Sequence, residues 1–326
     1  MTPPKLPMPF RGIVPPIVTP LLNDDELDVD GLERLVEYII AGGVAGIFAL
    51  GTTGEGPNLN YSVRHKMVEH LCDLVAGRIP VLIGITDTVI SESIRLAESA
   101  FGAGASAVVA APPYYLGMSQ EELEAYFLQL ANGCPLPLFL YNMPSCTKTK
   151  ISPELVLKLS HHENVIGIKD SSGDMDYLRT TTELLKSNPD FTVLLGPERQ
   201  LSFAMSFGVH GGVNGGANMF PQVYVDLHRA AYEGDSETVD RLNKIVDQIS
   251  QTIYDTYDAA ARHMLTTKSA VRALGFINGH VSWPFRQLDE QYESRINEAV
   301  ANLLQHPDVK SRIVADRSAD RSVSSD

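Results

Sequence analysis

The sequence predicts an α/β protein, a (β/α)8 TIM barrel with a helical C-terminal extension, on three observations. Eight short apolar runs end in turn-forming residues, helical patterns separate them, and the runs are nearly continuous in Val, Ile, Leu and Ala. Strands buried on both faces read this way, whereas a sheet with one wet face alternates apolar and polar residues. The runs are GIVPPIVTP near 12–20, GIFALGTTGE at 46–55, PVLIGI at 80–85, AVVAAPPYY at 107–115, PLFLYNMP at 137–144, VIGIKDSSG at 165–173, TVLLGPE at 192–198 and GGVNGGAN at 211–218. Between them, segments such as GLERLVEYIIAGG and SIRLAESAFGAGA repeat apolar residues at three and four positions and close on glycine, as an amphipathic helix and its stop do. An open doubly wound sheet is the alternative. It would carry a glycine-rich fingerprint after its first strand, and IVTPLLNDDELDVD has none.

The barrel is expected over 9–218. From 219 to 304 strands stop and helices continue, including the last barrel helix, through YVDLHRAAYEG, VDRLNKIVDQISQTIYDTY and QYESRINEAVANLL. Residues 305–326, with ADRSADRSVSSD, lack apolar periodicity and are expected to be a disordered tail.

Composition narrows the function classes. No apolar run approaches the roughly 20 residues that span a bilayer, so a membrane protein is not expected. The net charge of -14 argues against nucleic acid as a partner. The N-terminal MTPPKLPMPFRG has no apolar core of a signal peptide, which makes the cytoplasm the expected compartment. Cys72, Cys134 and Cys146 are odd in number and lack CxxC spacing, so neither a disulfide framework nor a zinc cluster is suggested. Nine scattered histidines suggest no metal site either: His161 and His162 precede the sixth strand on the far side from any site, and His210 packs a turn before the eighth.

The residues that carry chemistry are Tyr141 and Lys169, each at the end of an apolar run, one strand-helix unit apart. A lysine attacks a ketone only as the free amine, which calls for an apolar pocket and a nearby proton carrier. Neighbouring strands lie about 5 Å apart, so a phenol on one can reach an amine on the next. Such imine chemistry requires neither a metal nor a diffusible cofactor. Gly51-Thr52-Thr53-Gly54-Glu55 ends the second strand, where tight backbone and two hydroxyls either nest a carboxylate or simply cap the next helix. Tyr114 and Tyr115 end the fourth strand, as an aromatic rim or as a link in a hydroxyl relay.

GTTGE, PPYY, YNMP and GIKDSSGD, in this order and at these separations, resemble the dihydrodipicolinate synthase and N-acetylneuraminate lyase family of class I aldolases, from about residue 9 to 304. That resemblance implies that Lys169 forms the imine, that Tyr141 shuttles protons over it, and that Thr52 and Thr53 bind the carboxylate of pyruvate or a related 2-oxo acid. It further implies that Tyr115 reaches into a partner subunit's site, that Val213 and Asn214 line the pocket, and that the protein is a homotetramer of two tight dimers. Two departures bear on the aldehyde partner. Biosynthetic dihydrodipicolinate synthases place an arginine after the YNxPS stretch, where this chain has Cys146, and a neutral thiol cannot fork onto a carboxylate. Sialic-acid lyases tend to carry an Asp before the strand-seven Glu and hydroxyls in strand eight. Here Pro197 precedes Glu198, and Gly215 and Gly216 follow. Lys148 or Lys150 could restore a positive charge near Cys146. The expected activity is therefore a lyase or aldolase with an unassigned aldehyde. The alternatives are 4-hydroxy-tetrahydrodipicolinate synthesis, 3-deoxy-2-oxo sugar acid dehydration, or an idle barrel that only binds.

Overall fold

The computed structural model describes residues 6–309. The eight expected runs form eight parallel strands: β1 Gly12–Ile13, β2 Ile47–Ala49, β3 Val81–Gly84, β4 Ala107–Ala110, β5 Leu138–Asn142, β6 Val165–Asp170, β7 Thr192–Leu195 and β8 Gly211–Gly212. Consecutive strands pair in parallel from β2 to β8, and β8 pairs with β1. Pro15 and Pro16 carry no N–H, which cuts β1 short, yet the barrel still closes on its first seam. There Ala45 N donates to Ile13 O (2.8 Å), Phe48 N to Pro15 O (3.0 Å) and Ile17 N to Phe48 O (2.9 Å).

Eight helices alternate with the strands: α1 Val29–Ala41, α2 Tyr61–Val75, α3 Ile90–Ala103, α4 Gln120–Gly133, α5 Pro153–Leu159, α6 Met175–Leu184, α7 Leu201–Met205 and α8 Pro221–Glu233. Their starts follow local chemistry. Asp28, Asn60, Ser152 and Asp174 each accept a backbone N–H of the first turn, and Ser119 with Glu122 forms a capping box. Three further helices follow, α9 Ser236–Thr252, α10 Arg262–Ala273 and α11 Glu290–Leu303. A small hairpin, Leu21–Asn23 with Glu26–Leu27, precedes α1 and escaped the sequence reading because strands of two or three residues leave no period to detect. Most of the expected tail falls outside the described residues. Its first part packs back on the body, with Val309 1% exposed and Asp308 paired with Arg241.

Side chains alternate across each strand and so sort into two cores. Ile47, Ala49, Val81, Ile83, Val108, Leu138, Leu140, Ile168, Val193 and Leu195 face the helices. Val14, Phe48, Leu82, Val109, Phe139, Tyr141, Leu194 and Val213 fill the barrel. This sorting sends Tyr141 inward. The neighbouring strand needs a correction to stay in phase, and a bulge supplies it: Leu138 pairs with Val165 but Phe139 with Gly167. Gly167 is required there, because a Cβ would sit 2.3 Å from Phe139 Cε1. Beyond the bulge, Tyr141 stands directly opposite Lys169.

Candidate active site

The site lies at the C-terminal ends of the strands, where barrel enzymes build theirs. Tyr141 and Lys169 are each 5% exposed. Lys169 Nζ lies 4.2 Å from the centroid of the Tyr141 ring and 4.8 Å from that of Phe48. Phe48 meets Tyr141 edge-on at 6.4 Å between centroids, so the amine sits between two aromatic walls. The Tyr141 hydroxyl shares a 3.2 Å hydrogen bond with Thr52 Oγ1, and Thr52 is an exposed residue. Behind these groups, Asn142 Nδ2 donates to Asp170 Oδ1 at 2.7 Å, locking β5 to β6 one residue beyond Tyr141 and Lys169. Burial raises the Asp170 pKa, and hydrogen bonds from Asn142 and Ser172 pull it back.

Thr53 is half-buried in the same loop as Thr52. Gly51 lets that loop lie on Phe48, where a Cβ would stand 2.5 Å from the ring. Val213 joins Tyr141 and Phe48 in the inner core. Asn214 does not point the same way. Its Nδ2 donates to Gly196 O at 3.1 Å, which ties the end of β8 to the end of β7.

Cys146 lies in a one-turn helix, Pro144–Thr147, at the rim. The neighbourhood raises its thiol pKa by burial, with Ser145 and Lys169 opposing, so the group is a neutral thiol within the field of Lys169. Lys150 is committed elsewhere: it pairs with Asp174 at 2.7 Å and lies over the Tyr177 ring. Lys148, exposed and in the left-handed region at φ 59°, ends the same turn as Cys146. Tyr115 is not drawn into its own pocket. It is 79% exposed, beside Leu116 at 72%.

Glu198 is 8% exposed, and its carboxylate accepts the Gly216 N–H at 3.0 Å. Burial raises its pKa, opposed by the Tyr254 and Tyr224 hydroxyls beside it and by the Gly216 N–H. His210 and His162 stay away from this end, as expected. His210 takes the Val193 N–H on Nδ1 (3.0 Å) before β8, and His162 bonds Asn132 (3.2 Å).

Two participants escaped the sequence reading. Phe48 was hidden in an aliphatic run, although it is the one aromatic of GIFAL and faces inward by alternation. Lys268 of α10 reaches Glu55 in the loop of the threonines, with both side chains 0% exposed. Its signal was a lysine four residues after Met264 and three before Val271, on the apolar stripe of a helix.

Known proteins share this fold. A structure described as dihydrodipicolinate synthase from Bacteroides thetaiotaomicron superposes with a TM-score of 0.88 and 45% identity, covering 91% of this chain and 100% of the other. Escherichia coli K12 YagE, solved in complex with pyruvate, gives a TM-score of 0.85 and 33% identity over 90% of this chain and 99% of its own. The E. coli protein named "Probable 2-dehydro-3-deoxy-D-pentonate aldolase YjhH" is 36% identical over 242 residues, 74% of this chain and 80% of that one. The model of the dihydrodipicolinate synthetase family matches residues 9–303, and the chain belongs to that family.

Proposed function

We propose that the protein is a Schiff-base-forming aldolase that makes and breaks a carbon-carbon bond between pyruvate, or a related 2-oxo acid, and an aldehyde. The observation that carries this reading is the in-register contact of Lys169 with Tyr141, whose hydroxyl rests on Thr52. The Lys169 amine adds to the C2 carbonyl, and Tyr141 passes a proton to the carbinolamine hydroxyl, which leaves as water. The resulting iminium is the electron sink. In cleavage, the C4 hydroxyl gives its proton to the Tyr141 oxygen, left as phenolate by the preceding step, the C3–C4 bonding pair flows into the iminium, and the aldehyde departs from an enamine. Protonation at C3 and hydrolysis then free pyruvate and the amine. The Thr52–Thr53 turn is assigned to the carboxylate, and Val213 to the wall against the methyl group.

The aldehyde is assigned as neutral and hydroxylated, so that the substrate in the cleavage direction is a 2-dehydro-3-deoxy sugar acid. Support comes from the neutral thiol of Cys146 at the rim, the engagement of Lys150 with Asp174, and the relative named as a pentonate aldolase. Glu198 and Asn214 act from behind the pocket, through the loops after β7 and β8. A second reading, synthesis from pyruvate and aspartate semialdehyde, rests on Lys148 beside Cys146 and on the neighbour described as a dihydrodipicolinate synthase. The reading also includes a cytoplasmic homotetramer, in which Tyr115 and Leu116 are covered by a second copy.

The test is a pair of assays on one preparation: pyruvate release from 2-dehydro-3-deoxy sugar acids, and condensation of pyruvate with aspartate semialdehyde. Release is expected to dominate. Cys146→Arg is expected to raise the semialdehyde reaction by about tenfold or more, the worth of a charge-assisted fork in a desolvated site. Condensation by the unmodified protein at the rate of a dedicated synthase would overturn the assignment in favour of Lys148.

A further inference from the structure

Thr52 and Thr53 stand in a turn that the chain does not favour by itself. Leu50 (φ 58°) and Glu55 (φ 60°) bracket it, both in the left-handed region that side chains other than glycine avoid. Such residues persist only where their surroundings over-determine them. The surroundings of Glu55 do so from the far end of the sequence. One carboxylate oxygen accepts the Ser282 N–H at 2.7 Å and the Ser282 hydroxyl at 2.8 Å, and the other receives Lys268 Nζ. Lys268 belongs to α10, outside the eight strand-helix units, 213 residues from its partner. The Glu55 backbone is tied to the same turn, its N–H donating to Thr52 O at 3.2 Å, and Thr19 holds Gly54 O at 2.6 Å.

Ion pairs with both side chains fully covered cost desolvation and are weak evidence for a purely stabilising role. This one fixes the backbone from which both threonine hydroxyls project, and one of those hydroxyls holds the Tyr141 phenol. We propose that Lys268 is a positioning residue for recognition of the 2-oxo acid carboxylate: by pairing with Glu55 it locks the Thr52–Thr53 turn, so that the C-terminal helices set the affinity of a site whose chemistry belongs to the barrel. This rests on the assignment of Lys169 and the threonines made above. Lys268 itself is covered and ion-paired, which keeps it out of imine formation.

The experiment reads borohydride trapping of the pyruvate imine against pyruvate concentration in the full chain. Lys268→Met leaves a buried carboxylate unpaired. Half-saturating pyruvate is expected to rise about tenfold, with the maximal trapping rate within about threefold of the parent, because preorganisation is lost and the nucleophile is not. Glu55→Gln with Lys268→Met removes both charges and is expected to return half-saturation to within about threefold of the parent. Trapping of hydroxyacetone, a ketone without a carboxylate, is expected to stay level in all variants. Unchanged half-saturation in Lys268→Met overturns the inference, as does an equal loss for pyruvate and hydroxyacetone, which marks a merely structural role. If Lys268→Met does not fold, Ser282→Ala replaces it, with about a two- to fivefold rise in half-saturation expected for one lost hydroxyl donor and no rise contradicting the idea. Failure of the parent itself to trap pyruvate at Lys169 would instead refute the functional assignment.

Discussion

The two ends of the barrel hold their loops in different ways. At the N-terminal end, side chains satisfy the backbone: Asn164 Nδ2 donates to Ala131 O, Cys134 O and Leu136 O at 2.9–3.1 Å, Thr192 Oγ1 accepts Phe10 N–H at 2.8 Å, and His210 Nδ1 accepts Val193 N–H. At the C-terminal end stand Leu50, Glu55 and Lys148 with positive φ, a covered ion pair, and the buried Glu198 carboxylate with the Tyr224 and Tyr254 hydroxyls beside it. The remaining positive-φ residue other than glycine, Ala76, merely ends α2, where that conformation is ordinary. One end is relaxed and the other is held against its preferences. Strain gathers where side chains must face a substrate rather than each other.

If that division is right, changes at the C-terminal end remove activity and spare stability, and changes at the other end do the reverse. The largest effect is expected from Lys169→Arg. Guanidinium keeps its proton near neutral pH and cannot attack a ketone, so pyruvate release falls to background while the melting temperature holds. A functional Lys169→Arg enzyme would break the comparison at its centre. Tyr141→Phe comes next, with a loss of roughly 100-fold or more in turnover, the usual worth of a positioned acid-base group, and an unchanged circular dichroism spectrum. Near-normal turnover would remove Tyr141 from proton transfer.

At the opposite end, Asn164→Ala leaves buried carbonyls short of a donor, which costs about 1–3 kcal/mol. Denaturant unfolding should show the loss while kcat stays at the parental value; a drop in kcat with unchanged stability would reverse the assignment of the two ends. The last effect is a pH dependence. Burial, with Arg11 adding, depresses the His210 pKa to about 4 from an ordinary 6.5. Between those values the unfolded chain binds the proton and the folded one does not, so this contribution is complete above pH 6.5 and is lost as pH falls toward 4. Replacing His210 with Gln should flatten the melting temperature against pH in that window. Some slope should remain, because burial also lowers the pKa of His228 and His263.

The same division explains what the sequence made legible. Continuous Val, Ile and Leu runs mark strands covered on both faces, and the turn-forming residues that close PLFLYNMP and VIGIKDSSG place Tyr141 and Lys169 at neighbouring strand ends. The bulge at Gly167 was not legible. Asn214 follows the strand period, on the opposite side from the inward Val213, and the resemblance that put both in the pocket overlooked it. Lys268 with Glu55 was out of reach for another reason. It joins segments 213 residues apart, and nothing local at either says that a charge lies buried opposite it. The rim residues, Cys146 and Lys148, could be read as chemistry but not as direction, because a one-turn helix and a left-handed residue decide where they point.

The central claim is that one lysine on β6 forms the imine, and trapping tests it most directly. The protein is mixed with pyruvate, reduced with borohydride, digested and read by mass spectrometry. The expected result is inactivation together with a single reduced pyruvate adduct on Lys169, absent in Lys169→Arg and absent without pyruvate. An adduct on any other lysine, or full activity after reduction with pyruvate present, would contradict the account.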